Sequence, residues 1–207
     1  MDRRRIAVFD FDGTLTAKDS FLQFVTFTHG LPSFILGLIR HLPILVAYKL
    51  RLCSNERAKE RLFAHFYGGM DYGQFCRLGR DFAPLIDGFT RPVMMEQLRR
   101  HQAQGHDVYI VSASMAEWIA PWAATHGVTS VVGTRLETDA DGRLTGKFAS
   151  ANCYGTEKVR RFLEQEPDRE SYFLYAYGDS RGDREMIAFA DSGVTYSCRH
   201  PLVSPGR

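Results

Sequence analysis

The chain has 207 residues, 44% of them hydrophobic, which is enough to bury a sizeable core and rules out a disordered or fibrous protein. Lys+Arg 26 against Asp+Glu 24 gives a formal charge of +2, too balanced for a protein that wraps nucleic acid, so no nucleic-acid partner is expected. Four scattered cysteines, Cys53, Cys76, Cys153 and Cys198, form no CxxC pair and indicate neither a zinc site nor a disulfide framework; a reducing compartment fits.

The first apolar run, Ile6 to Asp10, reads as a strand and passes into "DFDGTLT", residues 10 to 16. The short basic tip Arg3-Arg4-Arg5 and the few apolar residues after it do not make a secretory signal, and a cytoplasmic location is expected. Acids are poor strand formers, and two carboxylates two positions apart repel unless a cation or a hydrogen-bond network holds them. Taken alone, Asp12-Gly13 is equally an exposed turn.

Residues 17 to about 85 contain no clear strand and read as several helices inserted after the first strand. Within them "LPSFILGLIRHLPILVAYKLRL", residues 31 to 52, is almost entirely apolar yet holds Arg40 and His41 centrally and prolines at 32 and 43. A central arginine and Pro43 argue against a membrane span, which wants about 20 uninterrupted apolar residues. Two readings stay open: the buried core of a helical subdomain, and a surface that dips into a lipid interface.

Beyond the insertion, Pro92 to Gln104, Glu117 to His126 and Glu157 to Gln165 carry apolar residues at helical spacing, the first two ending near Gly105 and Gly127. Asp107 to Val111, Tyr172 to Tyr177 and Gly193 to Ser197 read as further strands, and strand-helix alternation points to an α/β fold with a mostly parallel sheet. Asp141-Gly142 between strand-like flanks predicts a β-hairpin over 134 to 148, decorating the sheet. Trp118 and Trp122, four apart, are expected to pack a helix face, and no histidine has metal-ligand spacing.

Ligands of open α/β sheets sit beyond the carboxyl ends of the strands. Asp10 and Asp12 fall there, as do Ser112 in "VYIVSAS" and Asp179 with Asp183 in "YAYGDSRGDREM", while Lys158 in "CYGTEKVRRF" opens a helix. Clustered carboxylates favour a hard cation such as Mg2+, and a phosphate brought to it needs donors and positive charge. Ser112, Lys158 and the backbone of the turn through Gly13 and Thr14 supply them, so the set suits displacement at phosphorus with an aspartate as nucleophile.

These residues resemble the four motifs of the haloacid dehalogenase superfamily: "DFDGTLT", "VSAS", Lys158 and "GDSRGD", spread over residues 6 to 191. The resemblance implies a Rossmann-like doubly wound parallel sheet (residues 1–16 and 86–207) with an α-helical C1-type cap (17–85) inserted after the first strand, as in subfamily IB, which includes phosphoserine phosphatases. It implies that Asp10 attacks phosphorus, Asp12 moves the proton, and Asp10, Asp179 and the Asp12 carbonyl ligate Mg2+ with Asp183 in support. Ser112 and Lys158 would bind the phosphoryl oxygens. An acid at Asp12 implies a phosphatase rather than a dehalogenase.

Phosphoserine phosphatases carry a glutamate and a Ser-Gly-Gly where this chain has Asp19 and Ser112-Ala113-Ser114. The "KDSFLQFV" start of the insertion, its apolar proline-interrupted segment, "GTEKV" and "YAYGDS" are similar to the phosphatidylglycerophosphatase C family, which implies a lipid phosphomonoester and peripheral contact with the inner face of the membrane through 31–52. Asp19 and Arg57 are head-group candidates, and Arg40, Lys49 and Arg51 join Arg57 as residues that could face anionic lipid, against a solvated helix face as the plain alternative. A receiver-like signalling module also uses an aspartate, a hydroxyl residue and a lysine around Mg2+, but lacks the cap and the second acid.

Overall fold

The computed structural model of the chain describes residues 3–50 and 52–196; Arg51, Ser197 and Cys198 lie outside them. Five strands, β1 (Arg4–Phe9), β2 (Asp107–Met115), β3 (Ser130–Thr134), β6 (Tyr172–Gly178) and β7 (Ser192–Thr195), form one parallel sheet in the order β3-β2-β1-β6-β7. β1 sits at its centre because it is apolar on both faces. Ala7 and Phe9 pack on one side with Met94 and Leu98 of α5 (Pro92–Ala103) and with Trp118 and Trp122 of α6 (Ala116–Thr125). Ile6 and Val8 pack on the other with Phe162 of α7 (Thr156–Gln165) and Met186 of α8 (Arg184–Phe189). A sheet covered on both faces produces continuous apolar strands, and its order reverses beside β1.

The register does the positioning. Phe9 lies opposite both Ile110 and Tyr177, so the residues that follow, Asp10, Ser112 and Asp179, emerge along one edge of the sheet. β3 is absent from the sequence reading: "SVVGT" is short, carries Gly133 within it, and ends where the expected hairpin begins.

Between β1 and α5 lie four helices: α1 (Ser20–Arg40), α2 (Leu42–Lys49), α3 (Asn55–Tyr67) and α4 (Tyr72–Phe82), followed by a 3-10 turn over Ala83–Phe89. α1 is long and apolar enough, by length and composition, to cross a membrane, but it is broken at Gly30, where φ is +79°, just before Pro32. Its first half is protein core, with Phe21, Phe24 and Val25 buried and Phe24 stacked on Trp118 at 4.6 Å. Its second half and α2 are different: Gly37 rests on the Phe66 ring, yet α2 buries no residue fully and leucines along both helices face solvent. The reading of 31–52 as buried core is therefore overturned, because only the flank against α3 is covered.

The hairpin of β4 (Leu136–Thr138) and β5 (Leu144–Phe148) forms where the Asp141-Gly142 turn predicts it, with Gly142 at φ +75° and Asp139 accepting from the Asp141 and Arg143 N–H groups. It does not decorate the sheet. It packs on α3: Leu144 exchanges backbone bonds with Gly69 and Met70, Glu60 accepts from the Phe148 N–H at 2.9 Å, and Gly146 lies against Ala64.

Candidate active site

Asp10 leaves β1 directly into a tight turn in which Thr16 N–H donates to the Phe11 carbonyl and Gly13 N–H to the Thr16 carbonyl. Gly13 takes φ +91°, and a Cβ there would stand 2.4 Å from the Asp179 carboxylate, so only glycine fits. Its N–H is spent inside the turn, and this corrects the expectation that Gly13 faces phosphate. The fully buried Thr14 hydroxyl reaches both Asp10 (3.4 Å) and Asp179 (3.2 Å) and so links two acids.

Lys158, in the first turn of α7, extends its buried ammonium to Asp10 Oδ1 at 2.5 Å and Asp183 Oδ1 at 2.6 Å. Burial opposes its charge, but Asp10 and Asp183 outweigh that and hold its pKa above the ordinary lysine value. The other oxygen of Asp183 accepts from the Ser180 hydroxyl and from the Asp179 and Ser180 N–H groups. Burial works against this carboxylate, yet Lys158 and Ser180 keep its pKa below the usual range. For Asp10 burial dominates and pushes the carboxyl up, with Lys158 pulling it back.

Carboxylate oxygens of Asp10, Asp179 and Asp183 lie within 4.8 Å of one another. One ammonium among three carboxylates leaves negative charge uncompensated, and the donors are hard oxygens; both features fit a small divalent cation. The Asp12 side chain turns away from this cluster. It accepts from the Ser20 N–H at 2.7 Å and the Ser114 hydroxyl at 2.5 Å, and burial, with Asp19 adding to it, raises its pKa to about 6.

A cavity of about 370 Å³ opens above these groups. Asp10, Asp12, Ser112, Lys158 and Asp183 line its floor, and Asp19, Phe21, Leu22, Leu45, Tyr48, Lys59 and Leu62 of the helical insertion line its walls. Asp19 belongs to it and caps α1 through the Leu22 N–H. Arg57 does not: it is exposed and lines a separate groove, because residues two apart on a helix point to nearly opposite sides. Lys59 takes the inward position instead, its ammonium 2.8 Å from the Ala113 carbonyl. Burial lowers its pKa while Asp19, Asp12 and Asp10 oppose that.

Three supporting residues escape the sequence reading. Ser114 shares a strand face with Ser112, so the alternation in "VSAS" was a usable signal for it. Lys59 and Arg91, whose guanidinium holds the Gly13 and Thr16 carbonyls, carry no local signal.

Residues 7–188 match the family of haloacid dehalogenase-like hydrolases. The chain is similar to Protein CicA of Caulobacter vibrioides, 37% identical over 190 residues, covering 90% of this chain and 83% of that one. It is also similar to a histidinol-phosphatase of Neisseria meningitidis, 24% identical over 218 residues, covering 92% and 89%. A solved structure of a Bordetella pertussis protein of unknown function superposes with a TM-score of 0.79 at 23% identity, covering 92% of this chain and 88% of that one. The chain belongs to the haloacid dehalogenase-like hydrolase family.

Proposed function

We propose that this chain is a magnesium-dependent phosphomonoesterase that works through an aspartyl-phosphate. The observation that carries the reading is the pairing of a buried Asp10–Lys158 contact with a second acid, Asp12, held apart on its own donors at one cavity floor. Asp10 attacks phosphorus, and Lys158 and Ser112 hold phosphoryl oxygens. Asp12, held apart on the Ser20 and Ser114 donors, gives its proton to the leaving alcohol and later takes one from the water that hydrolyses the acyl phosphate. Asp10, Asp179 and the Asp12 carbonyl would hold Mg2+, with Asp183 in support. When bound, the cation would offset charge on the transferred phosphoryl group. A receiver-like module has no use for an acid placed as Asp12 is.

In this reading residues 17–85 are a subfamily IB cap over a core of 1–16 and 86–207, and the alcohol half of the substrate meets the cap walls. Those walls are apolar at Phe21, Leu22, Leu45 and Leu62, and apolar residues continue outward along 31–52. This favours a lipid phosphate such as phosphatidylglycerophosphate, met by a cytoplasmic protein at the inner face of the membrane. The second reading, a small soluble ester such as phosphoserine, is favoured by Asp19, an acid in the cavity able to pair with an ammonium, and by the histidinol-phosphatase relative.

Mg2+-dependent phosphate release from phosphatidylglycerophosphate in mixed micelles, with phosphoserine and histidinol phosphate at matched concentration, separates them. Preferential lipid hydrolysis is expected. Release from an amino ester alone would replace the lipid reading and make Asp19 the head-group ligand.

A further inference from the structure

Beyond the active site, the largest unexplained feature is the solvent side of residues 31–52. Leu36, Ile39, Leu42 and Val46 on the two helices, and Leu50 and Leu52 just past the second, are each between 46% and 76% exposed. The same helices are anchored from behind, through Gly37 on Phe66 and through the half-buried Phe34, Leu38 and Leu45. The apolar side is thus held out by the fold, and none of the described residues covers it. An exposed patch of this kind marks an interaction surface.

Its surroundings identify the partner. No acidic residue occurs between Leu31 and Leu52. A groove of about 620 Å³ beside α2 is lined by Arg57, Arg61 and Lys147, with Ile44 from α2; its one acid, Glu60, is occupied by the Phe148 N–H. Arg61 continues into a second depression with Arg40. All four cations are exposed, and none holds a salt bridge to another described residue. A second copy of the chain meeting this face about a two-fold axis would bring the two basic flanks together, which disfavours self-association. An apolar ridge flanked by unpaired cations is complementary to a bilayer carrying anionic head groups.

We propose that this ridge and the basic groove beside it dock the protein on anionic phospholipid bilayers, the groove receiving head-group phosphates at a site distinct from the catalytic cavity. The inference deepens the membrane-contact reading above and needs no particular substrate. α2 lines both regions, since Leu45 and Tyr48 face the cavity while Ile44 faces the groove. Docking therefore brings the cavity wall to the lipid surface.

The test is co-sedimentation of the full chain with vesicles of phosphatidylcholine alone or with one part in five phosphatidylglycerol. Binding is expected to the anionic vesicles and to fall as salt is raised. Leu36→Glu with Ile39→Glu should abolish it; Arg61→Gln and Lys147→Gln should each weaken it about fivefold on anionic vesicles. Thermal melts matching wild type, and unchanged hydrolysis of p-nitrophenyl phosphate, report that the fold and the catalytic site are intact. Failure to pellet with anionic vesicles, equal binding to both compositions, or variants that bind as wild type would overturn the proposal. So would a stable dimer that protects these leucines. Vesicle binding is read without turnover, so loss of the phosphatase reading would show in the soluble assay and leave the docking result standing.

Discussion

At the residue scale, the site's chemistry depends on two neighbouring acids having different partners. Asp10 is fixed by Lys158 and Thr14, whereas Asp12 is fixed by Ser20 and Ser114; burial raises both carboxyls, so it is their different partners that set the two apart. Asp10→Asn and Asp12→Asn should each lower kcat by about 1,000-fold or more with little change in melting temperature, as steady-state assays and calorimetry would register. Ser114→Ala removes only the donor that orients Asp12 and should cut kcat about tenfold, with the fold retained. The acids, Ser112 and Lys158 are legible in the sequence because each follows an apolar strand or opens a helix. Lys59 is not legible, since its inward direction is set by how α3 lies over the sheet rather than by neighbours in sequence.

At the element scale, the helical insertion is held over the sheet at contacts with no room to spare. The hairpin meets α3 where a Cβ on Gly146 would stand 2.5 Å from the Ala64 Cβ, at a φ of +86°. Gly146→Ala should cost about 2 kcal/mol in chemical denaturation, from strain at positive φ and from overpacking. The turn is readable from Asp141-Gly142, but the surface on which the hairpin rests is not, because a two-residue signal fixes a fold-back and says nothing of its partner. The apolar run 31–52 shows the same limit: composition identifies it, but only tertiary packing reveals that Gly37, Leu38 and Leu45 are covered while Leu36 and Leu50 are bare.

For the whole molecule, the doubly wound order follows from strands that are apolar on both faces, a pattern legible in the amino-acid sequence itself; the edge strand β3 escapes it because it runs into the hairpin segment with no turn signal between them. A polar cluster at the sheet adds to its response to acid. His101 is buried against His106, Tyr177 and Gln97, and burial, with His106 adding to it, lowers its pKa to about 4. The unfolded chain takes up this proton near pH 6.5 while the folded chain resists until about pH 4, so the contribution is complete above pH 6.5 and is lost as pH falls through that window. Urea titrations should show up to about 3 kcal/mol of acid-dependent loss in wild type that His101→Gln does not share.

Asp10 is proposed to carry the phosphoryl group. Acid-quenching the Mg2+-loaded protein during turnover of a radiolabelled phosphomonoester, then mapping the label by peptide, tests it most directly. The expected result is a hydroxylamine-sensitive label on the peptide containing Asp10, absent in Asp10→Asn and accumulated in Asp12→Asn whenever that variant still transfers phosphate from an activated ester. Turnover without any labelled peptide, or a label that persists in Asp10→Asn, would contradict the account.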